Sequence, residues 1–362
     1  MPRIDAFLEI LADQKASDLH LVSGSVPMIR HHGSLKPIKF RSLSDSYAWG
    51  LLSEILPQVF AEKFRKTKEL DFAYSIPGLA RFRVNVFKQR NGISAVFRLI
   101  PEKILTLEDL KMPKALRHFA FLDKGIVLVT GPTGSGKSTT LAAIIDVINS
   151  DRKCHIITIE DPIEFVHPIK NSLITQREIG SDTATFASAL RSALREAADV
   201  ILVGEMRDLE TISLALTCAE TGCLVFGTLH TCSAAKTVDR IIDVYPQESQ
   251  AQIRMQLSMS LRGVVAQQLV KRKDGKGRAA AVEILVGNAA LGNLIREGKT
   301  FQITSLIQSA DFEKTGMQTL DQALMDMLKQ KLITPEEAYL KAQEKHRFQD
   351  LMEQEADKDE DN

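Results

Sequence analysis

Apolar positions along this chain follow two different rhythms. From residue 117 onward, short unbroken runs ("GIVLVT" 125–130, "CHIITIE" 154–160, "DVILVGE" 199–205, "CLVFGTLH" 223–230) alternate with helically spaced segments at 137–149, 185–197, 209–221 and 234–243. Runs without alternation suit strands buried on both faces, and strands separated by helices predict an α/β domain with a mostly parallel sheet. From 288 onward the pattern predicts helices only, ending in the acidic stretch "EQEADKDEDN".

Residues 1–100 read as a small α+β domain. A helix is predicted at about 3–15, then strand-like "ASDLHLVSG" and "PMIRHHGSLKPI", the latter folded around a Gly turn. Helices are predicted in "DSYAWGLLSEIL" and "QVFAEKFRKT", followed by "ELDFAYSIPG" and the hairpin "LARFRVNVFKQRNGISAVFRLI". Asn91-Gly92 is the favoured two-residue turn chemistry, and a turn there pairs residue 85 with 98. The expected layout is a domain at 1–100, a polar linker at 101–116, an α/β core at 117–287, helices at 288–350 and a tail at 351–362.

Composition narrows the classes. The 362 residues suffice for two domains, and 46 Lys plus Arg balance 46 Asp plus Glu. Zero net charge removes the global positive field that draws a chain to nucleic acid or acidic lipid. No run of about 18 apolar residues occurs, so any membrane role is read as peripheral. Cys154, Cys218, Cys223 and Cys232 lack zinc-knuckle spacing and are expected to be buried reduced thiols.

The chemistry begins at "GPTGSGKSTT". Gly131-x4-Gly136-Lys137-Ser138, between a strand and a helix, is a complete P-loop pattern. Gly131, Pro132, Thr133, Gly134, Ser135, Gly136, Lys137, Ser138 and Thr139 form the expected ATP cradle. Lys137 supplies a charge at the β/γ-phosphates and Ser138 a hydroxyl for Mg²⁺. Three later strands end in polar groups: Glu160, Asp161 and Glu164; Glu205, Arg207 and Asp208; Thr228 and His230. Phosphoryl transfer needs a metal holder, a water-orienting base and cations, and a parallel sheet presents such groups at its strand C-termini. Arg83 and Arg98 share one face of the predicted hairpin, facing either solvent or a phosphate. Arg191 and Arg195 lie four apart on one side of the predicted helix.

Together "GPTGSGKSTT", "IITIEDPIEF", "VILVGEMRDLETI" and "LVFGTLHT" resemble the secretion ATPase superfamily, the hexameric motors of type IV pili and type II secretion. "ALGNLIREGK" (290–299) is similar to the "AIRNLIREGK" signature of its pilus retraction branch. The absence of a tetracysteine motif, and of a long domain ahead of "ASDLHL", points the same way. The resemblance implies a RecA-like P-loop ATPase core behind a PAS-like N-terminal domain, with ATP and Mg²⁺ as cofactors. It implies Glu164 as general base, Glu205 in the Mg²⁺/water network and His230 as a γ-phosphate or neighbour sensor, a structural histidine being the alternative. Arg83, Arg98, Arg195 and Arg207 are implied as charge-neutralising fingers. It further implies a cytoplasmic homohexamer at the inner-membrane base of the pilus. There it would act on the platform protein, with a paralogous pilus ATPase as a further partner, and drive retraction and twitching. An accessory or assembly ATPase, a nucleotide-binding adaptor and a nucleic-acid translocase stay as alternatives; zero charge and few aromatics disfavour nucleic acid. Three departures stand out: Cys223 in place of a His, Ala197-Ala198 in place of Asp-Pro, and Gly292 in place of an Arg.

Overall fold

The computed structural model describes residues 2–31, 34–100 and 103–352. The Gly33 turn and the acidic tail beyond Met352 lie outside the described residues. The chain divides into two compact units, Met1–Lys103 with Pro162–Val166, and Ile104–Asp161 with His167–Asn362.

The first unit is a six-stranded antiparallel sheet with three helices. Its strands are β1 (Asp18–Val22), β2 (Met28–His31), β3 (Ser34–Pro37), β4 (Glu69–Ile76), β5 (Ala80–Gln89) and β6 (Gly92–Ile100), in the order β3-β2-β1-β6-β5-β4. Helices α1 (Asp5–Asp13), α2 (Asp45–Ser53) and α3 (Gln58–Thr67) complete the unit. β5 alternates as the sequence demands: Phe82, Val84 and Val86 are fully buried among Leu8, Leu19 and Phe97, while Arg81, Arg83 and Asn85 are half-buried. The hairpin register differs from expectation. Gln89 pairs with Gly92, so the turn residues are Arg90 and Asn91, and Arg83 stands directly opposite Arg98 rather than 85 opposite 98. Gly92 opens the strand instead of the turn because it packs against Asp45, whose carboxylate accepts from Ile93 N at 2.6 Å. A Cβ at position 92 would overlap that carboxylate.

The second unit holds a seven-stranded sheet. Its strands are β7 (Gly125–Thr130), β8 (His155–Glu160), β9 (Leu173–Glu178), β10 (Val200–Val203), β11 (Leu224–Leu229), β12 (Leu261–Lys271) and β13 (Arg278–Val286). The order is β13-β12-β7-β11-β10-β8-β9, parallel except for the antiparallel β12–β13 edge. Every residue of β7, β10 and β11 is buried, as continuous apolar runs require. The helices are α4 (Ala115–Phe119), α5 (Lys137–Asp151), α6 (Phe186–Ala193), α7 (Leu209–Thr221), α8 (Ala234–Asp243), α9 (Gln250–Ser260), α10 (Ala289–Arg296), α11 (Ile303–Gln308), α12 (Phe312–Thr315), α13 (Leu320–Lys329) and α14 (Pro335–Lys341).

The sequence pattern marks four of these seven strands. β9 escapes it because "LITQRE" is an edge strand with little to bury, and the β12–β13 pair interleaves polar residues with apolar ones. α6 is shorter than the predicted 185–197. It ends at Ala193, and Ala197 adopts φ +50°, a conformation no L-residue helix continues through. Arg195 therefore lies past the helix, and the expected shared face with Arg191 does not form.

Candidate active site at the strand C-termini

The helices that follow the site strands begin in different ways. α7 is capped by Asp208, which accepts from Thr211 N at 2.8 Å, and α8 by Ser233, which accepts from Lys236 N at 3.3 Å. α5 starts from Gly136 with no side-chain cap. Its first N–H groups are left facing the 131–136 loop, which with the helix dipole makes a seat for an anion. Lys137 Nζ curls over the same loop, donating to the carbonyls of Gly131 (2.9 Å) and Pro132 (3.1 Å). Pro132, Thr133 and Gly134 are exposed on the loop crest, Ser135 is buried beneath it, and Ser138 and Thr139 are half-buried in the first turn of α5. Beside this turn, within the second unit, opens a cleft of about 1350 Å³ lined by Gly136, Thr139, Met112, Leu269, Arg278 and Met317.

Two strands away, Glu205 lies two residues past the end of β10. The carboxylate accepts from His230 Nε2 at 2.7 Å and pairs with Arg207. Burial by itself would raise the Glu205 pKa; hydrogen bonds from Arg207 and His230, and their charge, outweigh it and hold the group below the usual carboxylate range. Arg207 and His230 remain well exposed, 77% and 46%, so both can be re-aimed. Thr228 Oγ1 donates to the Gly204 carbonyl, fixing the ends of β10 and β11 side by side. Asp208 acts as the α7 cap, and Glu160 accepts from Thr158 (2.7 Å) and Gln176 (3.3 Å). Lys137, Ser138, Glu205, Arg207 and His230 thus share the second unit's strand C-termini, as phosphate, metal and charge-neutralising chemistry requires. Arg195 is exposed beyond α6, and Arg191 pairs with Glu210 on α7.

The remaining candidates belong to the first unit. Glu164 is half-buried in the 162–166 segment, where Arg81 Nε donates to the Ile163 carbonyl at 3.2 Å. Arg83 and Arg98 face each other across β5–β6. Arg98 is 67% exposed, but its Nε donates at 2.8 Å to Asp18, which is only 6% exposed. Burial pushes the Asp18 carboxyl up, and hydrogen bonds from Ser17 and Arg98 more than reverse it. Asp18 is a residue the sequence reading passed over. "ASDLHL" registers only as a strand, and the signal was a carboxylate at a buried strand position needing a cation.

The departures acquire places too. Cys223 Sγ donates to the Ala198 carbonyl (3.2 Å) at the N-terminal end of β11, roughly 20 Å of extended strand from His230. It stands apart from the phosphate end. Gly292 is buried, and a Cβ there would lie 3.2 Å from the Ser258 carbonyl oxygen, a tight contact that α10 and α9 would have to relieve by a shift of a few tenths of an ångström. Leu291 and Ile295 are buried, Leu294 is half-buried, and Arg296 is exposed beside Asn293. All four cysteines are free, but the expectation of burial holds only for Cys218. Cys154 and Cys223 are half-buried, and Cys232 is exposed because it follows a strand that ends at the surface.

Known proteins carry the same layout. The type IV pilus retractation ATPase PilT of Pseudomonas aeruginosa is 52% identical over 339 residues, covering 94% of this chain and 98% of that one. A twitching motility protein of Neisseria gonorrhoeae is 51% identical over 340 residues, 92% and 90% of the two chains. A crystal structure of the pilus retraction motor PilT with bound ADP superposes with a TM-score of 0.88 at 43% identity, covering 96% and 98%. The sequence profile of the type II/IV secretion system proteins matches residues 3–358. An uncapped α5 under a complete P-loop, a Glu205–Arg207–His230 cluster at the strand C-termini of the same sheet, and these near-full-length matches agree: the chain belongs to the type II/IV secretion system protein family.

Proposed function

We propose that this chain is an ATP-hydrolysing motor that powers type IV pilus retraction. The observation that carries the reading is a complete P-loop and an ionised Glu205 at the strand C-termini of one sheet, in a chain matching a retraction ATPase over nearly its whole length. Lys137 leaves the loop carbonyls to meet the β/γ-phosphates. Adenosine lies in the cleft beside Thr139, whose mixed apolar and basic lining suits a base and ribose.

The half-buried Ser138 hydroxyl and the Glu205 carboxylate would supply hard oxygens of the kind Mg²⁺ takes together with phosphates. Bound there, the ion would neutralise charge on the transferring phosphoryl group. Glu164 serves as general base for water, and His230 reports the γ-phosphate to Glu205. Arg83, Arg98, Arg195 and Arg207 neutralise transition-state charge. For Arg98 this means leaving or sharing Asp18. In this reading six copies form a ring at the cytoplasmic base of the pilus, acting on the inner-membrane platform protein. Among the described residues no helix is long and apolar enough to cross a membrane.

Deletion of the gene with pilus imaging is the test: hyperpiliated cells that do not twitch support retraction, and bald cells mean assembly. In the purified protein, Glu164→Gln should bind nucleotide normally while turnover falls about 10²–10⁴-fold. Near-normal turnover removes Glu164 from the base role.

A further inference from the structure

Gln267 lies on β12 immediately after Ala266, the partner of Thr130 at the end of β7. β12 therefore continues alongside the point where β7 gives way to the 131–136 loop. The Gln267 side chain is buried there (2% exposed), together with Ser135 (3%) and Thr140 (0%). Its Nε2 donates to the Ser135 carbonyl at 2.7 Å, and its Oε1 accepts from Thr140 Oγ1 at 2.8 Å. The carbonyl fixes the amide orientation, since the flipped amide would set two acceptors against each other.

Both terminal glycines of the loop pack on this residue. A Cβ on Gly131 would overlap the Gln267 carbonyl oxygen, and one on Gly136 would stand 2.8 Å from Nε2. Gly131 and Gly136 also have φ of +139° and +87°, where L side chains are strained. The loop is thus shaped by β12 on its outer side.

The consequence for a ligand follows from peptide planarity. The Ser135 C=O and the Gly136 N–H belong to one trans peptide and point in opposite directions. Tying the carbonyl outward to Gln267 turns the Gly136 N–H toward the inside of the loop, where a bound phosphate would sit. Gly136 makes this peptide unusually easy to flip, so something must hold it.

We propose that Gln267 is a positioning residue for nucleotide binding, acting through the 135–136 peptide to present the Gly136 N–H to a bound phosphate. The inference rests on the nucleotide-binding reading of the loop. The contact is to a phosphate present in both ADP and ATP, so affinity for the two falls together while kcat at saturation changes little.

The experiment uses the full-length chain, with N-methylanthraniloyl-ADP fluorescence for Kd and thermal melts with and without saturating ADP. Gln267→Met keeps the volume and removes both hydrogen bonds; its Kd should rise about tenfold, and its ADP-induced rise in Tm should shrink to match. Gln267→Glu keeps the acceptor for Thr140 but cannot donate when ionised, and its Kd should rise at least as far. A purely structural residue would lower the ligand-free Tm and leave Kd untouched. If neither variant folds, Thr140→Val carries the test, with a Kd raised at least threefold while Thr140→Ser stays at the wild-type value. Wild-type protein that fails to bind the probe overturns the nucleotide reading. Wild-type binding matched by Gln267→Met, or by Thr140→Val where that variant is used, overturns this inference alone.

Discussion

The two ends of the second unit's sheet carry similar residue types and treat them differently. At the strand N-termini, His155 N donates to Asp199 at 2.8 Å, and the His155 ring meets the Glu196 carbonyl (3.0 Å) and Thr175 Oγ1 (2.9 Å). Cys223 donates to Ala198, and Cys154 lies 3.3 Å from Ser172 Oγ. These polar groups fasten one strand to the next. At the C-termini, among the described residues Glu205 meets Arg207 and His230, both exposed, while the start of α5 has no side-chain cap. A polar residue at a strand end is therefore weak evidence for a site. Polar groups whose partners are movable side chains, beside uncapped N–H groups, are strong evidence.

The widest separation between the two ends should come from Lys137→Ala. Removing this cation is expected to lower ATP turnover about 10²–10³-fold, since charge developing on phosphoryl oxygens loses its fixed counter-charge. Asp199→Ala, measured in the same steady-state assay, should stay within about twofold of wild type. Similar losses in both would erase the distinction between the ends.

A second expectation concerns acid stability, which is assigned to neither end. His167 is buried, and desolvation pushes its pKa down to about 4 from an ordinary 6.5. Between pH 6.5 and 4 the unfolded chain takes up a proton that the folded chain refuses, so this contribution is complete above pH 6.5 and lost as pH falls to 4. The loss amounts to about 3 kcal/mol, and His167→Gln should flatten it in urea melts across that range. An unchanged slope in the variant would place the acid sensitivity elsewhere.

Smaller still is the stability effect at the fastened end. Asp199→Ala leaves the His155 N–H without its carboxylate at a partly exposed position and should cost about 1 kcal/mol, read as a drop in Tm. Least of all, Cys223→His should leave turnover within twofold. A larger change would connect the two ends of β11.

Much of this was legible in the sequence, for physical reasons. The P-loop and the buried runs of β7, β8, β10 and β11 are visible because parallel strands covered on both faces cannot hide their composition. α7 and α8 have the bounds their apolar spacing announces. What escaped depends on partners distant in sequence. Gly92 looks like a turn residue until Asp45 is placed against it. Arg98 looks free until Asp18, 80 positions away, is found beneath it. Gln267 belongs to a strand with mixed polarity, and its importance comes only from the loop it touches. Arg195 sits in a run that reads as helix, but α6 ends at Ala193.

The most direct measurement is a paired assay on Glu205→Gln, with nucleotide affinity and ATP turnover determined on the same preparation. The substitution keeps the shape and the Nε2 contact from His230 while removing the negative charge that the proposal assigns to metal and water. The account predicts a Kd for ADP within about threefold of wild type and turnover lowered about 10²–10⁴-fold. Turnover near the wild-type rate, with affinity intact, would contradict the assignment of catalysis to the C-terminal ends of these strands.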